Sequence, residues 1–300
     1  MGPQHEHRPV VVGVDGSDSA LDAVRWAAGE AQAIGAPLQL TAALGYAVDY
    51  ARGPKGTGGG NFYKFVVEDS QRDLDAAMAV TRVVAPDLAV SQLMRDGRPA
   101  TVLASESSRA ALLVLGHRGR SGLPGLFAGS VAVRLTATAS CPVVVIRESA
   151  TVPDPAHRPV VVGVDGSEPD DAAIEFAFGE AARRGAPLVA VHAWLDYVLD
   201  LACGELADWD ALQGEEEAFL AQRLAGWSEK YPEVTVSRVL VRDRPAHALF
   251  EQSVHAQLLV VGSRGRGGVS GTLLGSVSQA VIHHAPCPVV VVRSGSGGAA

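Results

Sequence analysis

Short apolar runs alternate with longer amphipathic stretches along the whole chain. Val10-Val11-Val12 and Leu112-Leu113-Val114-Leu115 are uninterrupted apolar runs, the pattern of central strands buried on both faces of a parallel sheet. Ala23, Trp26, Ala27 and Glu30 instead recur at helical spacing, with the apolar members set against a sheet and Glu30 expected to turn toward water. The alternation predicts strands near 9–15, 37–44, 88–95, 111–116 and 142–147, and helices near 18–34, 62–84, 98–109 and 128–138. Further strands are predicted near 159–165, 187–194, 233–241, 257–262 and 288–293. The class is α/β and doubly wound, and such sheets bind ligands at the carboxyl ends of the strands, where the strand order reverses.

The pattern is written twice. Arg8-Pro9-Val10-Val11-Val12-Gly13-Val14-Asp15-Gly16-Ser17 returns residue for residue from Arg158 to Ser167. Gly35-Ala36-Pro37-Leu38 returns at Gly185 to Leu188, and Cys141-Pro142-Val143-Val144-Val145 at Cys287 to Val291. A period this long excludes a solenoid and predicts two self-sufficient domains, 1–150 and 151–300, joined by a proline-bearing linker at 149–156.

Composition narrows the class further. With 47% hydrophobic, 19% charged and 5% aromatic residues, the chain is an aliphatic globule rather than a disordered one. A net charge of -8 without a basic run argues against nucleic acid as a partner. No apolar stretch approaches the roughly 18 residues that span a bilayer, so the expectation is a soluble, cytoplasmic protein with no membrane partner. Cys141, Cys203 and Cys287 show neither CxxC nor Cys/His ligand spacing, which excludes a disulfide framework and a zinc site; no metal is expected to be held by protein ligands alone.

Candidate chemistry gathers after the fourth strand of each half. Gly116-His117-Arg118-Gly119 is followed by nine residues and Gly129-Ser130 at a predicted helix start. Gly262-Ser263-Arg264-Gly265 is followed, at the same interval, by Gly275-Ser276. Glycines let backbone approach a ligand closely, and free N–H groups at a helix start favour phosphate. The alternative is a flexible glycine-rich loop that duplication has copied. Arg118, Arg120, Arg264 and Arg266 are the candidate countercharges, or else solvated loop arginines. GxxxxGK[ST] and a GxGxxG after the first strand are missing, and Lys55, Lys64 and Lys230 lie outside these loops, so a P-loop enzyme and a dinucleotide site are excluded. Asp15-Gly16-Ser17 and Asp165-Gly166-Ser167 read either as turns with helix caps or as carboxylates aimed into the crevice. His117 is replaced by Ser263 in the second copy, so a shared histidine mechanism is not expected, and His283-His284 reads as a surface pair.

Strand-tip Asp, the Gly-x-x-Gly and Gly-Ser pattern and the closing Cys-Pro-Val-Val-Val strand together resemble the universal stress protein family, in its tandem, ATP-binding form. That resemblance implies two five-stranded parallel sheets ordered 3-2-1-4-5, each holding ATP with Mg²⁺ between the tips of strands 1 and 4. Carried over by motif, the nucleotide contacts are Asp15, Gly116, Gly119, Gly129 and Ser130, then Asp165, Gly262, Gly265, Gly275 and Ser276; the countercharges Arg118 and Arg264 are expected to join them. The family's adenine contact falls near Ala43 and Ala193. The last strands, Val143 to Ile146 and Val289 to Val292, are expected to associate, giving a homodimer or a pairing within the chain. The implied function is an ATP-binding stress-response regulator, with a protein partner, whose conformation or contacts follow nucleotide occupancy. Two alternatives stay open: a slow ATP hydrolase or phosphoryl or nucleotidyl transferase, and a structural dimer with idle loops. The first copy carries a glycine-rich insertion at 53–61, expected to be disordered, and the second a different, acidic loop at 203–217, so the two sites are expected to differ in affinity.

Overall fold

A computed structural model of the protein describes residues 8–45, 59–120, 129–147, 158–167, 170–194, 209–265 and 274–293. The chain divides into two compact units, Met1–Ser149 and Ala150–Ala300.

In the first unit the order is β1 (Val10–Val14), α1 (Asp18–Ile34), β2 (Leu38–Ala43), α2 (Gly59–Val84), β3 (Val90–Arg95), α3 (Pro99–Ser107), β4 (Leu112–Gly116), α4 (Ser130–Thr138) and β5 (Val143–Ile146). The strands are all parallel and lie in the order 3-2-1-4-5. Val10 pairs with Leu38 on one side and with Leu112 on the other. The chain leaves β1 toward β2 and leaves β4 toward β5, so the two tips part and a crevice opens between them.

The second unit repeats this as β6 (Val160–Gly163), α5 (Asp170–Arg184), β7 (Leu188–Ala193), α6 (Trp209–Lys230), β8 (Val236–Val241), α7 (Pro245–Ser253), β9 (Leu258–Gly262), α8 (Ser276–His284) and β10 (Val289–Val292). Its parallel order is β8-β7-β6-β9-β10.

Local chemistry fixes these elements. Ser17 caps α1 by accepting from the Ala20 N–H at 3.2 Å, and Gly35 ends the helix in the left-handed region at φ 66°. Ala20, Ala23, Val24, Ala27, Ala28 and Ala31 form its buried stripe, small side chains that bring the helix close to the sheet. α3 and α7 each begin with a proline, which lacks only a donor that the helix start leaves unused. Phe178 on α5 is fully buried and stacks on Tyr231, with ring centroids 5.8 Å apart.

Three expectations are corrected. Glu30 does not turn toward water but is 7% exposed, because it lies seven residues after Ala23 and so returns to the same buried face. Residues 209–217 are the first turns of α6 rather than a loop, a start whose acidic residues and lack of an apolar stripe disguise it; 203–208 lie outside the described residues. Gly59 to Asn61 open α2 rather than closing a disordered insertion, and 53–58 lie outside the described residues.

Candidate functional site

In the first unit the crevice is closed by contacts between the β1 turn and the loop after β4. Gly16 takes φ +76°, which swings the Asp15 carboxylate toward that loop. Asp15 Oδ1 accepts from the Ser17 hydroxyl at 2.6 Å and from its N–H at 3.1 Å. Asp15 Oδ2 accepts from the Arg120 N–H at 3.0 Å. The Ser17 hydroxyl also reaches the Arg118 carbonyl at 3.3 Å. A Cβ on Gly119 would stand 2.5 Å from Asp15 Oδ2, and one on Gly116 would stand 2.6 Å from the Ser19 carbonyl. Both glycines are therefore needed for close approach; neither has positive φ. Buried His117 pairs its Nδ1 with Ser19 Oγ at 2.9 Å.

The Gly129 N–H donates to the His117 carbonyl at 2.7 Å, which sets the start of α4 against the loop. No side chain caps α4, and Ser130 at its first turn is exposed. Its leading N–H groups and dipole are thus directed to the crevice mouth, the arrangement that receives an anion.

The second unit reproduces the frame. Gly166 has φ +78°, and Ser167 N–H donates to Asp165 Oδ1 at 2.9 Å. A Cβ on Gly265 would collide with the Asp165 carboxylate. Gly275 N–H donates to the Ser263 carbonyl at 2.9 Å, and α8 likewise has no side-chain cap. Ser276 is exposed, Gly262 is buried at the end of β9, and Arg264 is exposed beside it. Ala43 and Ala193 are the half-buried last residues of β2 and β7, each one strand away from the carboxylate tip.

Each half therefore brings together its Asp, its Gly-x-x-Gly and its Gly-Ser. Arg120 departs from expectation. Its guanidinium turns to Asp69 at 2.7 Å and Asp73 at 3.0 Å on α2, and these hydrogen bonds and charges raise its already high pKa. Arg266 lies outside the described residues.

Residues not picked out in the sequence complete both mouths. Asp73 packs over Gly16, and its pKa is raised by burial and by its neighbours Asp69 and Asp15, against the lowering effect of Arg120. Asp170, 2% exposed, accepts through one oxygen from the Asp165 N–H at 2.6 Å and the Gly166 N–H at 2.5 Å. Burial first, and then the Asp165 charge, push it up to about 7. Arg223 on α6 reaches the Ser167 carbonyl at 3.4 Å and Asp171 at 2.7 Å. The repeat gives no signal for Arg223: from the covering helix onward the halves correspond at 146 positions, which sets Arg223 opposite Ala77.

Among the described residues, three buried side-chain N or O atoms have no hydrogen-bond partner: Arg118 Nε, Ser167 Oγ and Arg223 Nε. All three belong to residues on the rims of the two crevices. No group of three or more His, Cys, Asp or Glu side chains among the described residues could hold a metal ion, and no described helix is long and apolar enough to cross a membrane.

Comparison with known proteins agrees with this architecture. The model of the universal stress protein family matches residues 6–147 and again 156–293. A universal stress protein of Mycobacterium bovis is 43% identical over 296 residues, covering 97% of this chain and 98% of the relative. One from Mycobacterium tuberculosis strain H37Rv is 41% identical over 290 residues, covering 95% and 96%. The crystal structure of a universal stress protein from Archaeoglobus fulgidus matches with a TM-score of 0.68 at 19% identity, covering 96% of this chain and 99% of that one, a likeness of fold.

Proposed function

Because the chain belongs to the universal stress protein family, we propose that each half binds an adenine nucleotide, ATP with Mg²⁺, at the tips of β1 and β4 and of β6 and β9. Occupancy then changes conformation or partner contacts, including association of a second chain through the apolar strands β5 and β10. The observation that carries this reading is the clustering of the orphaned atoms. Burying an unsatisfied polar atom costs about 1–3 kcal/mol, and a bound phosphate or ribose supplies the missing partners. In this reading Gly119 and Ser130, with their counterparts Gly265 and Ser276, receive phosphate through backbone N–H groups, while Gly116, Gly129, Gly262 and Gly275 let the backbone come close enough for that contact. Arg118 and Arg264 supply charge, Asp15 and Asp165 face ribose or base, and the backbone at Ala43 and Ala193 meets the adenine. The described residues offer no dedicated metal cage; Mg²⁺ is commonly held by phosphate oxygens and water with one or two carboxylates, a role within the reach of Asp15 or Asp165.

The alternative, a slow ATP hydrolase or phosphoryl or nucleotidyl transferase, requires a base that positions a nucleophile. His117 is held by Ser19, and the corresponding residue of the second half is Ser263. Denaturing release of small molecules from freshly purified protein, followed by mass spectrometry, tests both readings. Close to two adenylates per chain, recovered as ATP, supports the binding module. Recovery mainly as ADP supports the hydrolase. No nucleotide, and none rebound on adding Mg·ATP, overturns the proposal.

A further inference from the structure

The two crevices share a backbone frame but differ in the charge of the helix that covers them. Over the first, α2 presents Asp69 and Asp73, and both are occupied by Arg120, a residue of the glycine loop itself. A loop cation that would otherwise face a ligand is thereby neutralised. Asp73 also lies directly against the β1 turn, where a Cβ on Gly16 would meet its carboxylate.

Over the second, α6 presents Arg223; the covering helices end at Val84 and Lys230, 146 positions apart, which sets Arg223 at the place of Ala77 and Phe219 at the place of Asp73. Arg223 reaches the Ser167 carbonyl at the corresponding turn, at 3.4 Å, and is tethered by Asp171 at 2.7 Å. Its Nε is buried without a partner, and so is the adjacent Ser167 Oγ. In the first half the Ser17 hydroxyl is engaged on both sides, donating to Asp15 and accepting from the Ala20 N–H. Among the described residues, an orphaned guanidinium Nε beside an orphaned hydroxyl is thus found in the second half, whereas the first has an orphaned Arg118 Nε alone. One acid-to-base substitution runs the same way: Asp96, which accepts from the Tyr63 hydroxyl at 3.3 Å beyond β3, is matched beyond β8 by Arg242, stacked 3.6 Å over the Trp209 ring.

We propose that Arg223, with Ser167, is an additional phosphate ligand contributed by the covering helix. The second half is then the site for a nucleoside polyphosphate, and the first half favours a less anionic adenylate. This inference rests on the nucleotide reading above. It adds that the two sites are unequal and names the side chains that make them so. A guanidinium on the helix over the second crevice, where the helix over the first presents carboxylates, favours the more highly charged ligand through Coulomb attraction and through charge-assisted hydrogen bonds to phosphate oxygens.

The test is equilibrium dialysis of the full chain against radiolabelled ATP and AMP. The unaltered chain is expected to show two classes of ATP site, with Arg223→Gln weakening the tighter class by about tenfold or more, while AMP binding moves less than about threefold. Arg223→Lys should recover part of the loss, and Asp73→Arg should tighten the weaker class. Asp171→Asn separates a ligand from a clamp. If Arg223 merely ties α6 to α5, this variant reproduces the loss; if Arg223 binds phosphate, ATP affinity is kept or raised. Two equal classes of ATP site, or an unchanged tight class in Arg223→Gln, overturn the inference and leave nucleotide binding standing. No ATP or AMP binding by the unaltered chain overturns both.

Discussion

Asp170 offers a test of the second crevice that requires no ligand. Its carboxyl is 2% exposed and is pushed from 3.8 up to about 7, by burial first and then by the charge of Asp165. The folded state therefore holds this proton more tightly than the unfolded chain does. Stability from that proton is fully present below about pH 3.8 and is lost as pH rises through about 7. A rise of about three units, at roughly 1.4 kcal/mol each, amounts to about 4 kcal/mol withdrawn from the second unit by pH 8. Asp170→Asn removes this cost without breaking the turn. Both backbone donors, Asp165 N–H and Gly166 N–H, converge on a single oxygen of Asp170, which the amide oxygen of asparagine replaces. The amide NH₂ then faces Asp165, as the proton of the neutral acid does. Urea unfolding of the parent and the variant at pH 5, 6, 7 and 8 is the assay, read as the difference between them, so that other titrating groups cancel. Part of the cost is already present at pH 5, so the variant should gain on the parent by about a further 2–3 kcal/mol between pH 5 and pH 8, most of it below pH 7. A variant that is less stable at pH 8, or a difference that does not change with pH, would refute the reasoning.

Other outcomes follow from packing and close approach. Gly119→Ala places a methyl 2.5 Å from Asp15 Oδ2, so the loop must withdraw; ATP binding in the first half, followed by calorimetry, should weaken about tenfold, roughly 1.4 kcal/mol. Phe178→Ala empties a fully buried position stacked on Tyr231 and should cost the second unit about 3–5 kcal/mol in urea unfolding. Burial pushes the Cys141 and Cys287 thiols up to about 12, so neither should be alkylated by iodoacetamide at pH 8 until the chain is unfolded, as peptide mass mapping will show.

The strands were legible in the sequence to within two or three residues, because Val10-Val11-Val12 and Leu112 to Leu115 carry their burial in their own composition. The recurrence of Asp-Gly-Ser and of the spaced glycines located both crevices, since those residues act through local backbone geometry. Asp69, Asp73 and Arg223 escaped notice for a different reason. They sit on helices far along the chain from the loops they touch, and nothing in their neighbours' pattern marks which exposed helical charge will face a crevice. Asp170 likewise looked like one more acid in the first turn of a helix; its burial comes from the turn that folds over it. Glu30 was misplaced by polarity alone, although its spacing from Ala23 and Ala27 already set it on the inner face.

The pairing that creates each crevice also fixes when it can come into being. Val10 must find Leu112, and Val160 must find Leu258, across about a hundred intervening residues, whereas β1 with β2 and β6 with β7 close over far shorter segments. Long closures of this kind are slow, and no partly folded form with its inner strands still apart owns a crevice at all. Each crevice accordingly exists only once the long closure of its own half has been made. A ligand captured there can bind only the finished half, and by mass action it deepens the barrier-protected native state of that half alone.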